Sequence, residues 1–553
     1  MRELFFLLFL LPLSILAQTP DKQLLADADN IFLNSFSVQS SADSISTEVS
    51  STWLAPTCSA VDFAALKDFY ETLHGDNWRN KTGWSLVKNN DSPPPYCTFA
   101  SMHGITSAII DGEERVTGMQ MHDNKMSGPF PAGLCTMTKI EVLDLSLNPI
   151  AGDMPVEFFN LTLLNHLDMD ACWLTGPVRP EIANLVNLEY LNIYSNRLSG
   201  PLPSELGSLP KIKYIYLYMN ILSGSIPREL GNLSNLLILM LDNNRLTGDI
   251  PAELGDLPVI QRIGLGDNQL TGNIPLSLFN LTTLTEFYLN DNLLTGTIPP
   301  QIGNLVNLTS LHLGRNIFTG SIPSTISNLT KLYYLYLYDN YLTGSIPENI
   351  GNLKLLSSLG LSENQLTGSI PASIGDLTDL NWLLLYDNSL SGPIPPELGK
   401  LKNVTLVSLG NNRLSGSIPA ELGEMGSTSG YVSLSAYNNL LTGCYPANLK
   451  KLCSRGASFD TNVGLAALFT DFCATNAGAC PCPQSLTLQS TANDVNSGVQ
   501  AFETDKTTGE ITASNQITGA ANITFRAGRS ILLIPGFLAN QGTVFKTERS
   551  GCN

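Results

Sequence analysis

The stretch Leu342–Asn364 reads LTGSIPENIGNLKLLSSLGLSEN, and the register of its leucines, glycine, Ile-Pro pair and closing asparagine decides the fold. Asparagine recurs at 124, 148, 196, 220, 244, 268, 292, 316, 340, 364, 388 and 412. The 24-residue period is broken only where Cys172 replaces the asparagine, so thirteen consecutive units keep register. A fourteenth closes on Asn439 after 27 residues, because a small insertion falls at Gly426–Gly430. A fixed period of this length marks a solenoid, in which each unit buries its apolar side against the next.

Within the unit, Leu359 and Leu361 alternate with Gly360 and Ser362 at the period of two of a strand buried on one side, so stacked units predict one long parallel sheet. The closing asparagine brings donors and an acceptor to the turning backbone of adjacent coils. Gly344 admits a bend and Pro347 fixes φ in the segment crossing the opposite side. These regular residues are structural rather than ligand contacts.

The repeated pattern LxGxIPxxLGxLxxLxxLxLxxN resembles the plant-type leucine-rich repeat of receptor-kinase ectodomains and polygalacturonase inhibitors, and covers residues 116–443. The resemblance implies an α/β solenoid: a right-handed superhelix with a concave parallel β-sheet and cysteine-containing end caps. Residues 58–115, with AALKDFYETLHGDNW, Trp84 and Cys97, resemble the N-terminal cap of such proteins, although Thr98–Ile105 stands where a tryptophan-glycine-valine motif is usual. That likeness implies a Cys58–Cys97 disulfide. Residues 444–480 hold Cys444, Cys453, Cys473 and Cys480, a C-terminal cap whose three possible pairings stay open. Residues 481–553, with ITASNQITGAANITFRAGRSILLIPGF, resemble a small all-β tail module of bacterial secreted proteins, bracketed by Cys482 and Cys552.

The ends and the composition point outside the cell. Residues 1–17 read as a signal peptide, with Arg2 ahead of the apolar run Leu4–Leu16 and Ala17 before Gln18. Residues 18–57 read as a flexible lead-in rich in Ser, Asp and Ala. No later apolar run has the length of a membrane helix, and neither a lipid-bearing cysteine nor a glycolipid-anchor tail is legible. Ten cysteines, gathered mostly at the ends of the array, suit an oxidising compartment. With 48 acidic against 30 basic residues the formal charge is −18, which repels nucleic-acid phosphates. The expected location is secreted or cell-surface associated; nothing in the sequence sets an oligomeric state.

Catalysis finds little support. His74, His103, His122, His166 and His312 are scattered over separate units, giving neither metal spacing nor a nucleophile–base pair, and no cofactor or metal is implied. In a solenoid, residues many coils apart stay apart. The exception is His122 and His166 with Asp144, Asp168 and Asp170, which neighbouring coils bring near one another; a solvated polar face is the preferred reading. The GSTSG at Gly426–Gly430 lacks serine at the centre of a nucleophile elbow and reads as a loop. Sequons such as Asn80-Lys-Thr and Asn160-Leu-Thr follow mostly from the repeat's own Asn-Leu pattern.

Binding is the better expectation. Residues two, four and six before each closing asparagine point to the open sheet face, since side chains alternate along a strand. One aromatic patch is therefore expected from Tyr190, Tyr194, Tyr214, Tyr216 and Tyr218. A second patch, or a shallow slot over the small Gly360 and Ser362, is expected from Tyr334, Tyr336, Tyr338, Trp382 and Tyr386. The position just before the asparagine supplies Asp267, Asp291, Asp339, Glu363 and Asp387, an acidic row interrupted by Arg315 that would attract a basic ligand. Tyrosine and tryptophan suit anchoring of an extracellular protein or peptide, or stacking on a glycan. Aromatic residues also have high strand propensity, so the bland reading is an exposed β face. The alternatives are a structural adhesin or spacer, an inhibitor of a secreted hydrolase as in the polygalacturonase inhibitors, and ice binding through the column Thr247, Thr271, Thr295, Thr319, Thr343 and Thr367.

Overall fold

Each coil spends its period-of-two segment on a three-residue strand that pairs in parallel with the same segment of its neighbours. Tyr334, Ser358 and Trp382 are in register, as are Leu335, Leu359 and Leu383. Among the described residues these strands join into a 16-stranded sheet that runs from Thr57–Cys58 to Ser433–Ser435. The middle residue of each strand, for example Leu191, Ile215, Leu335 or Leu383, is fully buried, so its two flanking residues face outward. The computed structural model describes residues 57–94, 98–426, 428, 430, 432–443, 445–453, 464–465 and 473, and the strands between Ser485–Leu488 and Val544–Glu548.

Past the strand the chain turns sharply, and the residue before each closing asparagine is left-handed: φ is 53° at Asp339, 55° at Glu363 and 53° at Asp387. The closing asparagine then knits its own coil to the one before it. Asn340 donates from Nδ2 to the Leu313, Leu337 and Tyr338 carbonyls at 3.1, 3.3 and 3.2 Å, and its Oδ1 accepts the Phe318 N–H at 3.0 Å. Asn439 does the same work despite the insertion before it, accepting from Leu414 N–H at 2.9 Å. Where Cys172 stands instead, its thiol donates to the Leu145 carbonyl at 3.2 Å, and the Ile150 N–H bonds its own neighbour's carbonyl, Asn148, at 2.7 Å.

The chain returns through a short second strand such as Tyr341–Thr343, bends at Gly344 (φ +74°) and starts a 3-10 helix, Glu348–Asn352, after Pro347. Ile350 of that helix is buried against the strand leucines. The helical side of the coils is thus 3-10. The α-helices Ala60–Thr72, Ser85–Lys88 and Lys450–Cys453 lie outside the regular coils.

Ahead of the coils, helix Ala60–Thr72 is capped by Ser59, whose side chain accepts from the Asp62 N–H. The buried Asp62 carboxylate accepts from Arg115 at 2.9 and 3.0 Å and from the Val116 N–H at 2.8 Å, tying the helix to the hairpin Ile105–Ile110 and Glu113–Gln120. Phe69, Tyr70, Trp78 and Trp84 interlock beneath it. Cys58 is disulfide-bonded, while Cys97 lies outside the described residues.

At the other end Cys453 pairs with Cys473, which selects among the pairings the sequence left open. Cys444, Cys480, Cys482 and Cys552 lie outside the described residues, as do the leader and the lead-in up to residue 56. The tail strands pair in parallel, Ser485–Leu488 with Glu510–Ala513 with Ser530–Leu533, and Gly498–Glu503 with Ala521–Arg526 with Val544–Glu548.

Candidate functional site

The outward residues of the long sheet form a continuous face with three regions. In the first, the register places His166, Tyr190 and Tyr214 side by side and aligns Asp144, Asp168, Asn192 and Tyr216. Tyr190 stacks on His166 with centroids 4.3 Å apart, and Tyr194 stacks on Tyr218 at 4.2 Å. Tyr190 also meets Tyr214 and Tyr216 at 5.9 and 5.7 Å. The five expected tyrosines therefore do come together. Yet Tyr190 and Tyr216 retain only 6% and 5% exposure, packed with Ile238 in a small cluster of their own. Much of this patch's apolar area is already used inside the protein.

The carboxylates beside it do converge as expected. Asn192 donates from Nδ2 to both oxygens of Asp168 at 3.1 Å, and Asp170 is buried next to it. Burial, reinforced by the neighbouring Asp144, holds the Asp168 carboxyl well above the usual range, and burial also raises Asp170. Burial lowers His166 to about 4, so its imidazole is neutral at pH 7.

The middle region contains groups that the sequence did not single out. Arg262 and Glu286 pair at 3.1 Å, both largely buried. Asp242 bends over two residues without side chains, and a Cβ on Gly264 would lie 2.0 Å from its Oδ2. Its Oδ1 accepts the Gly266 N–H at 2.7 Å, whereas Oδ2 is buried with no hydrogen-bond partner among the described residues. Burial pushes this carboxyl up to about 7. The legible signal is an aspartate facing Gly264 and Gly266, glycines at two successive outward positions of the next coil.

The third region holds Tyr334 and Tyr336 on one strand, Tyr338 just past its end, and Trp382 and Tyr386 two coils on. The slot expected over Gly360 is not open. Tyr336 leans across it, so that a Cβ on Gly360 would sit 2.9 Å from the ring, and Ser358 and Ser362 are buried. What remains is a shallow aromatic floor from which Trp382 stands out with 43% exposure. His312 and the Tyr338 hydroxyl hydrogen-bond at 3.1 Å, and burial lowers His312 to about 4.

The acidic row borders this floor, and its first cause is conformational. Asp267, Asp291, Asp339 and Asp387 occupy left-handed backbone, where aspartate and asparagine are favoured among residues bearing a Cβ. Glu363 and Arg315 occupy the same conformation without that preference. Arg315 bonds Asp291 at 3.2 Å and lies 3.9 Å from Asp339. Glu363 accepts from the Tyr386 hydroxyl at 2.9 Å, and Asp387 from Asn411 at 2.6 Å. Asp339, Glu363 and Asp387 remain exposed.

On the far side of the turn, Thr271, Thr295 and Thr319 donate their hydroxyl protons to Asp249, Asn273 and the Gly296 carbonyl of the preceding coil. Part of the threonine column is therefore engaged inside the protein.

Comparison with known proteins agrees with this geometry. Leucine-rich repeat patterns match residues 306–366 and, as single repeats, 187–209, 235–257, 283–305 and 379–401. The chain is similar to a plant peptide hormone receptor, RGFR1, solved in complex with RGF2: 30% identity and a TM-score of 0.59, covering 78% of this chain and 68% of that one. It is similar to PEPR1 in the PEPR1–AtPEP1 structure at 28% identity and a TM-score of 0.63, covering 84% of this chain and 62% of that one. A leucine-rich repeat protein of Leptospira interrogans is 30% identical with a TM-score of 0.50, covering 62% of this chain and 84% of that one. No curated protein matches.

Proposed function

Because the chain belongs to the leucine-rich repeat proteins, we propose that it is an extracellular recognition protein that binds a peptide or protein segment on the open face of its sheet, over the coils from Tyr334 to Asp387. The observation that carries this reading is the exposed Trp382 on a tyrosine floor, edged by the exposed carboxylates of Asp339, Glu363 and Asp387. An aromatic anchor with a polar rim is the composition of a binding hot spot. The acidic rim favours a ligand carrying lysine or arginine. RGFR1, a plant peptide hormone receptor solved in complex with RGF2, lends the architecture a precedent. Tyr190, Tyr194, Tyr214, Tyr216 and Tyr218 are then a packed shoulder of the same face, offering edges rather than whole rings.

The protein acts, in this reading, without catalysis: His166 and His312 are held neutral by burial and engaged in aromatic packing and hydrogen bonding. The leader at residues 1–17 and the tail's likeness to bacterial modules support a secreted or surface-held bacterial protein. No helix among the described residues is long and apolar enough to cross a membrane. The rim is tested by titrating arginine-rich and glutamate-rich peptides of equal length into the full-length protein and its Asp339→Asn, Glu363→Gln, Asp387→Asn triple variant. Binding preferential to the arginine-rich peptides, weakened about tenfold or more in the variant, supports the reading; equal affinity for both peptide classes contradicts it.

A further inference from the structure

Beside the second aromatic patch, on the flank where the chain enters its strands, a cavity of about 530 Å³ crosses several coils. Tyr333 and Tyr334 form one end, and Tyr333 is 44% exposed. One coil on, the small Ser357 leaves space beside the tyrosine. Asn381, a further coil along, donates from Nδ2 to Ser357 Oγ at 3.1 Å and to the Asp379 carbonyl at 3.3 Å. The other end is lined by Thr428, which belongs to the insertion that breaks the 24-residue period. Its N–H bonds the Lys402 carbonyl at 3.1 Å and its hydroxyl bonds Asn403 Oδ1 at 2.7 Å. A coil of regular length has no residue to put there.

The lining excludes most ligand classes. Among the described residues it contains neither lysine nor arginine, and its one carboxylate is Asp379, so an anion meets repulsion and no counter-charge. The strands alongside are paired on both sides, so an added peptide strand has no edge to join. Amides, hydroxyls and a single carboxylate beside tyrosine rings fit a neutral sugar. Its hydroxyls both donate and accept, and its C–H face packs on an aromatic ring. The volume falls within the range of small-ligand sites.

We propose that this cavity binds a neutral hexose unit of an oligosaccharide, with Tyr333 as the stacking platform and Asp379, Asn381 and Asn403 as partners for its hydroxyls. The site is independent of the peptide reading; the two share only Tyr334, and Trp382 belongs to the open face alone.

The test uses full-length protein from a host that adds no N-glycans, because Asn403-Val404-Thr405 is itself an acceptor triplet. Saturation-transfer NMR and calorimetry are run with cellohexaose, mannohexaose and laminarihexaose, and with hexagalacturonate as the anionic control. At least one neutral hexaose is expected to bind. Tyr333→Ala and Asp379→Ala each weaken it about tenfold or more, Ser357→Tyr fills the cavity and abolishes it, and Trp382→Ala leaves it intact. Circular dichroism verifies folding of each variant. The proposal is overturned if no neutral hexaose binds, if hexagalacturonate alone binds, or if binding survives both Tyr333→Ala and Ser357→Tyr. Sugar binding lost with Trp382→Ala but kept with Tyr333→Ala also overturns it, since the sugar then sits on the open face.

Discussion

Replacing Asn340 by alanine separates the structural role of the closing asparagines from mere repeat statistics. The side chain makes four hydrogen bonds, and they are not equal in consequence. The three carbonyls it serves keep other partners: Leu313 holds Asn316 Nδ2 at 3.3 Å, Leu337 holds Asn364 Nδ2 at 3.0 Å, and Tyr338 holds the Arg315 N–H at 2.8 Å. The Phe318 N–H has only Asn340 Oδ1 and sits beside a fully buried ring. Leaving such a donor unpaired costs about 1–3 kcal/mol, and the weakened carbonyls add less. Asn340→Ala should therefore destabilise the array by about 2–3 kcal/mol. Urea unfolding of the full-length protein measures this against the exposed control Gln365→Ala, and amide exchange at Phe318 locates it. A loss below about 0.5 kcal/mol, or one equal to the control's, would mean that the Phe318 N–H does not depend on Asn340.

Two further outcomes follow from the same accounting. Cys172→Asn restores an acceptor for the Ile150 N–H and donors for the Leu145 carbonyl, so it should raise stability by about 1 kcal/mol in urea titrations; unchanged or lower stability would show that the cysteine coil has repacked around its thiol. Asp242 has a folded pKa of about 7 against about 3.9 when unfolded, so the native state retains a proton that the unfolded chain releases. Its contribution is present at pH 4 and lost as pH rises to 7; Asp242→Asn should remove that slope and be more stable than the parent at pH 8 by on the order of 2 kcal/mol. Parallel slopes for both proteins between pH 4 and 7 would contradict it.

The sequence made the coil legible because its physics is local and repeated: Leu359 and Leu361 face the core in every unit, and the asparagine must satisfy turning backbone wherever it recurs. It also placed His166, Asp144, Asp168 and Asp170 near one another, since strand alignment follows from the period. What one coil does to the next was less visible. Tyr190 and Tyr216 are buried because His166 and Ile238 stand beside them, a lateral contact that alternation within a strand does not encode. The slot over Gly360 closes because a missing side chain invites a neighbour's, here Tyr336, to lean in; Asp242 leans over Gly264 for the same reason. The acidic row read as an electrostatic feature, whereas much of it reflects a left-handed turn that favours aspartate. Tyr333 and Asn381 were passed over because they precede the outward positions of the strand by one residue.

In the proposed function, ligand binding rests on the exposed aromatic floor of the second patch. Its most direct test is selection of a random peptide display library on the immobilised full-length protein, with recovered peptides measured by calorimetry against the parent and the Tyr336→Ala, Trp382→Ala double variant. Peptides enriched in arginine or lysine are expected, with an affinity that falls about tenfold or more in a variant with unchanged circular dichroism. Enrichment no greater than on a blank support, or peptides that bind the double variant as tightly as the parent, would contradict it.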